Sequence, residues 1–341
     1  MPEPPSDEVG LIAALAQRFG APPPEVILGI GDDCAALDLG GDAYVLWTVD
    51  TLVEGVHFDL AHISLKQLGR KSLAVNVSDI AAMGGEPRYA LLSLGWPPDR
   101  ELALALKFGE GLAELGREYG IAVIGGDTVA SPPGITITVA VLGKVPKEEM
   151  LTRAGARVGD HIYVTGALGD SAAGLEILRR GLKPAPEVAE PLVTAHLDPI
   201  PQLAAGRLLA KHRLANSAID LSDGAATDLY HLCRAGRVGA RLEAAAIPIS
   251  AGMRMVAQEL GRSPLDLALK GGEDYQLLFT SPPDRGEQLS QVFRQAGLPQ
   301  PVKIGEIISG REVVLAGADG EEIISGGGFD HFRLDLSSGT E

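Results

Sequence analysis

The sequence predicts an α/β chain with α+β character, organised as two domains. Short β-branched apolar runs alternate with segments whose apolar residues recur at helical spacing. At 341 residues the chain is a little over twice the ~150 residues of one domain. A charged stretch at 144–159, which includes Pro146, separates two series of elements. It puts the boundary between an N-terminal domain of 1–146 and a C-terminal domain of 147–341.

In the first series, 11–19 is a short helix. Residues 43–51, AYVLWTVDT, form a strand that carries Asp50. A helix over 65–83 is closed by Gly84-Gly85. Residues 88–94 form the next strand, stopped by Trp96-Pro97-Pro98. A helix over 99–118 lines up Leu104, Phe108, Leu112 and Leu115 on one face. A short strand at 122–124 runs into a Gly125-Gly126-Asp127 turn. Residues 135–143, ITITVAVLG, form a strand with one wetter, threonine-bearing face. In the second series strands fall at 161–165, 217–221, 275–280 and 302–308. Helices follow Gly169-Asp170 and Gly224 and occupy 203–211 and 287–295. The last dozen residues are polar and are expected to fray. VNVSD at 75–79 echoes IDLSD at 219–223, which suggests similar carboxylate turns from the two halves.

Lys and Arg number 29 and Asp and Glu 45, a formal net charge of −16. There is no clustered positive run, so nucleic acid is not an expected partner. The longest charge-free stretch, 128–143, is broken by Pro132-Pro133-Gly134 and is too short to cross a bilayer as a helix. No membrane partner is expected. The first residues show no basic-then-apolar secretory signal. Two cysteines, Cys34 and Cys233, do not make a disulfide framework. The reducing cytoplasm is the expected compartment. Glycines number 43 and aromatics make up 4%, which suits a chain that brings backbone close to a ligand.

The acidic residues gather beside small residues. They occur in Gly31-Asp32-Asp33, Thr48-Val49-Asp50-Thr51, Ser78-Asp79, Gly126-Asp127-Thr128, Asp220-Leu221-Ser222-Asp223-Gly224 and Gly272-Glu273-Asp274. Carboxylates and hydroxyls are hard ligands suited to Mg²⁺, which completes its shell with water and substrate phosphates. Any one such Asp is as readily an Asx-turn or a helix cap. Together they point to several cations held against a polyphosphate. The chain has no G-x-x-x-x-G-K-[ST] loop and no protein-kinase motif set. Cys34 stands where Gly29-Ile30-Gly31 would need the third glycine of a dinucleotide motif.

Nine segments carry a family resemblance: GIGDDCA (29–35), TVDTLVEGVHF (48–58), KSLAVNVSDIAAMG (71–84), IGGDT (124–128), LTRAGA (151–156), VTGALGDSAAGL (164–175), NSAIDLSDG (216–224), GGEDYQLLF (271–279) and GGFDHF (327–332). In this ordered series the chain resembles the thiamine-monophosphate kinase family, whose members transfer the γ-phosphoryl of ATP to thiamine monophosphate. The resemblance implies the two-domain aminoimidazole ribonucleotide synthetase-like fold, with mixed sheets covered by helices. It also implies a homodimer paired through the N-terminal sheets, and substrates in the interdomain cleft. Several Mg²⁺ ions and ATP as co-substrate follow from it. The implied metal ligands are Asp33, Thr48, Asp50, Asp79, Asp127, Asp220 and Asp223, with Asp50, Asp79 and Asp220 the most critical. Gly126, Asp127, Arg153 and Ser222 match ATP contacts. His57, Glu273 and Phe329 match contacts to thiamine monophosphate. Val49 stands where relatives often carry a second hydroxyl, so a metal bond there must use its carbonyl oxygen.

The implied chemistry suits these residues. A phosphate monoester has its second pKa at ~6, so the acceptor oxygen is mostly deprotonated near neutral pH. No general base is needed, and positioning with charge neutralisation carries the transfer. Arg153 offers a bidentate cation. Phe329 offers a stacking ring, and Glu273 a charge to complement the thiazolium. Direct in-line transfer without a phosphoenzyme is expected. Two alternatives stay open: another ATP-dependent synthetase of the superfamily, and a catalytically silent nucleotide-binding regulator.

Overall fold

A computed structural model describes residues 7–318, 320–324 and Gly328. The N-terminal strands are β1 (Val26–Leu28), β2 (Ala35–Leu37), β3 (Ala43–Val53), β4 (Glu86–Trp96), β5 (Ala122–Ala130) and β6 (Thr136–Pro146). They form one sheet in the order β1-β2-β3-β6-β4-β5, antiparallel except for the β4–β5 pair. The second sheet contains β7 (His161–Val164), β8 (Ser217–Asp220), β9 (Gly239–Glu243), β10 (Leu277–Ser281), β11 (Val302–Ile308), β12 (Val313–Gly317) and β13 (Gly320–Ile323). Its order is β13-β12-β9-β11-β7-β10-β8, and only the β12–β9 pair is parallel. The helices are α1 (Glu8–Phe19), α2 (Leu65–Ala82), α3 (Ala103–Tyr119), α4 (Asp170–Arg180), α5 (Pro186–Leu197), α6 (Leu203–Lys211), α7 (Ala225–Gly236), α8 (Ala251–Glu259), α9 (Pro264–Lys270) and α10 (Gly286–Gln295). None of them, among the described residues, is long and apolar enough to cross a membrane.

Strand alternation decides what each face of the first sheet carries. On β3, Leu46, Thr48 and Leu52 are buried, whereas Trp47, Val49 and Thr51 are exposed. Asp50 therefore shares the inner face with Thr48. Ile137, Val139 and Val141 of β6 join Leu46 and Leu52 in a core closed by α2 and α3. Trp47 and Tyr89 share one outer cross-strand row, and Val49 and Leu91 share the next.

Helix α2 begins with a capping box, in which Ser64 and Gln67 each satisfy the other's backbone N–H. It is buried on nearly every side, including Lys71, Ser72, Asn76 and Ser78. One side packs on the first sheet. Ala81 and Ala82, near its end, join Ala205 and Leu209 of α6 and Phe279 of β10 in a smaller core between the two halves. A Cβ on Gly206 would lie 2.0 Å from the Ala81 carbonyl oxygen, so only glycine allows this approach.

Most strongly patterned elements lie where the sequence predicts them. Three features differ. Gly125-Gly126-Asp127 is not a turn but the middle of β5. Asp79 lies inside α2, as the helix expected over 65–83 requires, so the similar turns suggested for VNVSD and IDLSD are not found: the first is helix and the second a strand end and a turn. The apparent echo is therefore not a repeated turn. The helix expected from 99 starts at Ala103.

The α2–α3 crossing gives a stability test. A Cβ on Gly111 would meet the Lys66 carbonyl oxygen at 1.8 Å, whereas one on Gly109 would meet nothing. Gly111→Ala is expected to destabilise the protein by about 2 kcal/mol or more through overpacking. Gly109→Ala should be neutral or gain up to ~1 kcal/mol of helix propensity. Denaturant titration of both variants checks this.

Candidate active site

Acidic side chains from both halves of the chain converge beside the interdomain cleft. Asp33 comes from the turn before β2, Asp79 from α2 and Asp220 from the end of β8. One carboxylate oxygen from each lies within 4.8 Å of the others. Thr48 donates its hydroxyl to Asp79, and Ser78 Oγ donates to Asp220 at 2.7 Å. Asp33 Oδ2 is buried with no hydrogen-bond partner. An all-oxygen cluster with an orphaned carboxylate oxygen fits a hard divalent cation.

The protein partly offsets this charge itself. The Arg153 guanidinium pairs with the fully buried Asp33 side chain, with Nε at 3.2 Å. The Arg153 backbone N–H donates to Asp32 at 3.1 Å. Burial, then the neighbouring carboxylates, pushes Asp79 well above the usual range. The same causes lift Asp220 to about 8 and Asp50 to about 6. Burial also raises Asp33, against the opposing pull of Arg153.

The adjoining cleft has a volume of about 1010 Å³, and its walls include Asp50, His57, Ser222, Asp223 and Glu273. His57 Nδ1 accepts the Val53 N–H at 3.0 Å, which leaves Nε2 to carry the neutral ring's proton. The Ser222 carbonyl accepts the Glu273 N–H at 2.7 Å. Buried Asp228 holds the Asp223 turn, accepting from the N–H groups of Asp223 and Gly224 at 3.2 and 3.1 Å.

The structure therefore brings together Asp33, Thr48, Asp50, Asp79, Asp220 and Arg153, with Asp223, Ser222, His57 and Glu273 along the cleft. Asp127 pairs with Ser93 and shares a cross-sheet row with Thr51, on the outer face. It is not part of the Asp33–Asp79–Asp220 group. Gly126 is beside it, where a Cβ would strike the Leu92 carbonyl oxygen. The Val49 side chain also points outward and is 60% exposed, so only its carbonyl remains as a ligand. Phe329 lies outside the described residues.

The comparisons agree with this architecture. The AIR synthase related protein family matches twice, its N-terminal domain over residues 31–145 and its C-terminal domain over 157–317. The thiamine-monophosphate kinase of Escherichia coli K12 is 42% identical over 328 residues, covering 95% of this chain and 98% of its own. The chain belongs to the thiamine-monophosphate kinase family. A solved structure described as AaThiL complexed with AMPPCP and TMP superposes with a TM-score of 0.84 at 33% identity, covering 95% of this chain and 97% of that one. The thiamine-monophosphate kinase of Stenotrophomonas maltophilia K279a gives 0.74 at 35% identity, covering 90% and 96%. The hydrogenase maturation protein HypE shares the fold at 22% identity and a TM-score of 0.69, covering 91% of each chain.

Some site residues carry no motif of their own. Lys71 is only 1% exposed, yet its ammonium sits 3.0 Å from Glu273. A lysine on the apolar α2 face beside Leu68 and Val75 was the available signal. His196 at 3.2 Å from Glu273 and buried Asp228 had none.

The raised carboxyl pKa values fix a pH dependence. Unfolded, these groups titrate near ~3.9. The fold holds their protons to higher pH, so their contribution is full below the unfolded pKa and is lost as pH rises through the folded one. The metal-free protein should therefore lose thermal stability from about pH 5 to about pH 8. Asp220→Asn should flatten this slope and raise the midpoint at the upper end by several degrees. Melting curves in chelator test both, and a wild-type midpoint that climbs across this range refutes the account.

Proposed function

We propose that this protein phosphorylates thiamine monophosphate with ATP, giving thiamine diphosphate and ADP by direct in-line transfer. Family membership supports the reaction. The single structural observation that carries the mechanism is the convergence of Asp33, Asp79 and Asp220 from both halves of the chain beside the cleft. An acceptor phosphate oxygen attacks the γ-phosphorus, and the bond to the β–γ bridging oxygen breaks. The acceptor arrives largely deprotonated, so no side chain must remove a proton. Asp33, Thr48, Asp50, Asp79, Asp220 and Asp223 would hold Mg²⁺, which when bound offsets the charge of the phosphates. Asp127 and the Val49 carbonyl remain assigned to metal, and Gly126 and Asp127 to ATP, on the resemblance. Ser222 and Arg153 serve ATP. Arg153 pairs with Asp33, so in this reading ATP and the cation draw on the same ion pair. His57, Glu273 and Phe329 serve thiamine monophosphate. The domain boundary is kept at 146/147, between β6 and β7.

The reading includes a homodimer in the cytoplasm. Both cysteines are free and buried, as suits a reducing compartment. Trp47, Val49, Tyr89 and Leu91 expose an apolar sheet face that needs a cover. Edge strand β5 is exposed along its whole length. A second copy of the same face supplies both. Leu91→Asp is expected to shift the protein from dimer to monomer in analytical ultracentrifugation, and a wild-type monomer would remove this part of the reading.

Turnover tests the reaction itself. With ATP, Mg²⁺ and thiamine monophosphate, ADP and thiamine diphosphate should form in equal amounts. Asp50→Asn and Asp220→Asn should each lower kcat/KM by about a hundredfold or more. ADP formed without thiamine diphosphate would favour a related synthetase or an uncoupled ATPase. A phosphorylated enzyme on the productive path would exclude direct transfer.

A further inference from the structure

The Glu273 carboxylate is the hub of a buried polar cluster that joins the two halves. It takes the Lys71 ammonium at 3.0 Å on Oε1 and 3.1 Å on Oε2. His196 Nδ1, from the end of α5, lies 3.2 Å from Oε2 and 3.1 Å from Ser171 Oγ. Burial works to raise the Glu273 pKa, but the Lys71 charge beside it more than offsets that and holds Glu273 below its ordinary range, so it is ionised and can only accept. A bare lone pair on Nδ1 would face that anion, so Nδ1 carries the proton. Burial, then the Lys71 charge, lowers the His196 pKa to about 4, which keeps the ring neutral. Its other nitrogen, Nε2, is then an obligatory acceptor. His196 lines the same cleft as His57, Phe58 and His62, and no donor among the described residues is hydrogen-bonded to Nε2.

We infer that His196 Nε2 accepts a hydrogen bond from the exocyclic amine of the substrate's aminopyrimidine, making His196 a specificity-determining residue. The inference rests on the thiamine monophosphate reading above. The thiazolium has no N–H, and the phosphate is deprotonated, so the amine is that substrate's donor. ATP also brings an amine, on adenine. Glu273, whose Oε2 lies 3.2 Å from His196 Nδ1, belongs to the thiamine side in that reading, so the aminopyrimidine is the assigned partner. Lys71 acts through Glu273 as a positioning residue. It fixes the carboxylate that sets the histidine tautomer.

The test compares thiamine monophosphate with its 4-oxo analogue, in which a carbonyl oxygen replaces the amine. A site built around an acceptor rejects that analogue, because two acceptors then face each other. Wild type should prefer the amine by about a hundredfold or more in kcat/KM. His196→Ala should cut this preference to about tenfold or less, with KM for ATP unchanged. Where the alanine variant does not fold, His196→Leu keeps most of the volume. Where turnover is too slow, calorimetric binding of both compounds to the AMPPCP-loaded protein gives the same ratio. An unchanged preference in the variant overturns the inference, as does an equal response of wild type to both compounds. A lost preference for ATP over inosine triphosphate would overturn it in favour of adenine. No phosphorylation of thiamine monophosphate by wild type is a different result, which removes the parent reading instead.

Discussion

Like-charge repulsion at the junction of the two halves is the constraint around which this molecule is arranged. Asp33, Asp79 and Asp220 are drawn together within a few ångströms, two of them buried. No single element holds them. Each comes from a separate segment, so the cluster exists only when the two sheets are docked. Water no longer screens the charges, and the interior raises both the repulsion and the cost of leaving them ionised. The chain's own residues answer in three ways. Arg153 pairs with Asp33, hydroxyls of Thr48 and Ser78 donate to Asp79 and Asp220, and some carboxyls retain protons near neutral pH. Each answer is partial, and in the proposed reaction bound cations supply the rest.

Helix α2 makes this arrangement possible. A helix with one apolar stripe can serve one sheet. This one is covered on nearly every side, so its sides can serve different partners. Leu68, Leu73, Val77 and Ile80 fill the first core. Ala81 and Ala82 are small enough to let α6 approach. Between these contacts the helix sends Ser78 to Asp220 and Lys71 to Glu273, both in the other half of the chain. Its buried polar residues are therefore not defects in a core. They are the points where the core becomes the cleft wall.

The same helix shows what sequence patterning can and cannot reveal. Its limits were legible from apolar periodicity and from the Gly84-Gly85 stop, and most of the metal set was legible from acidic residues beside small ones. The secondary structure of those acids was less so. Ser78-Asp79 reads both as part of the helix over 65–83 and as half of a carboxylate turn, and the helix prevails because tertiary burial outweighs the local preference of Ser-Asp. Asp127 has a turn-like Gly-Gly approach, yet strand pairing with β4 carries the backbone straight through. Short β1 and β2 and helices α5, α8 and α9 have too few periodic residues to stand out. Lys71 and His196 gain meaning only from Glu273, which is 202 positions from the lysine, and local patterning does not record such contacts.

Glu273 and Tyr275 have φ values of +62° and +47°, a left-handed conformation that is costly for residues with a side chain. Four hydrogen bonds offset that cost. The N–H groups of Glu273 and Tyr275 donate to the carbonyls of Ser222 and Leu221 at 2.7 and 2.8 Å. Asp274, between them, accepts from the Gly169 and Ser171 N–H groups at the start of α4. The strained segment is thus bonded on one side to the turn that carries Ser222 and Asp223, and on the other to the helix that carries Ser171. In the proposed reaction the first is the ATP wall and the second adjoins the thiamine wall. Both walls share one short stretch of backbone, so movement of either substrate's contacts must bend a segment that is already strained. Such a segment resists small displacements. The relative placement of the two walls is therefore set by main-chain hydrogen bonds.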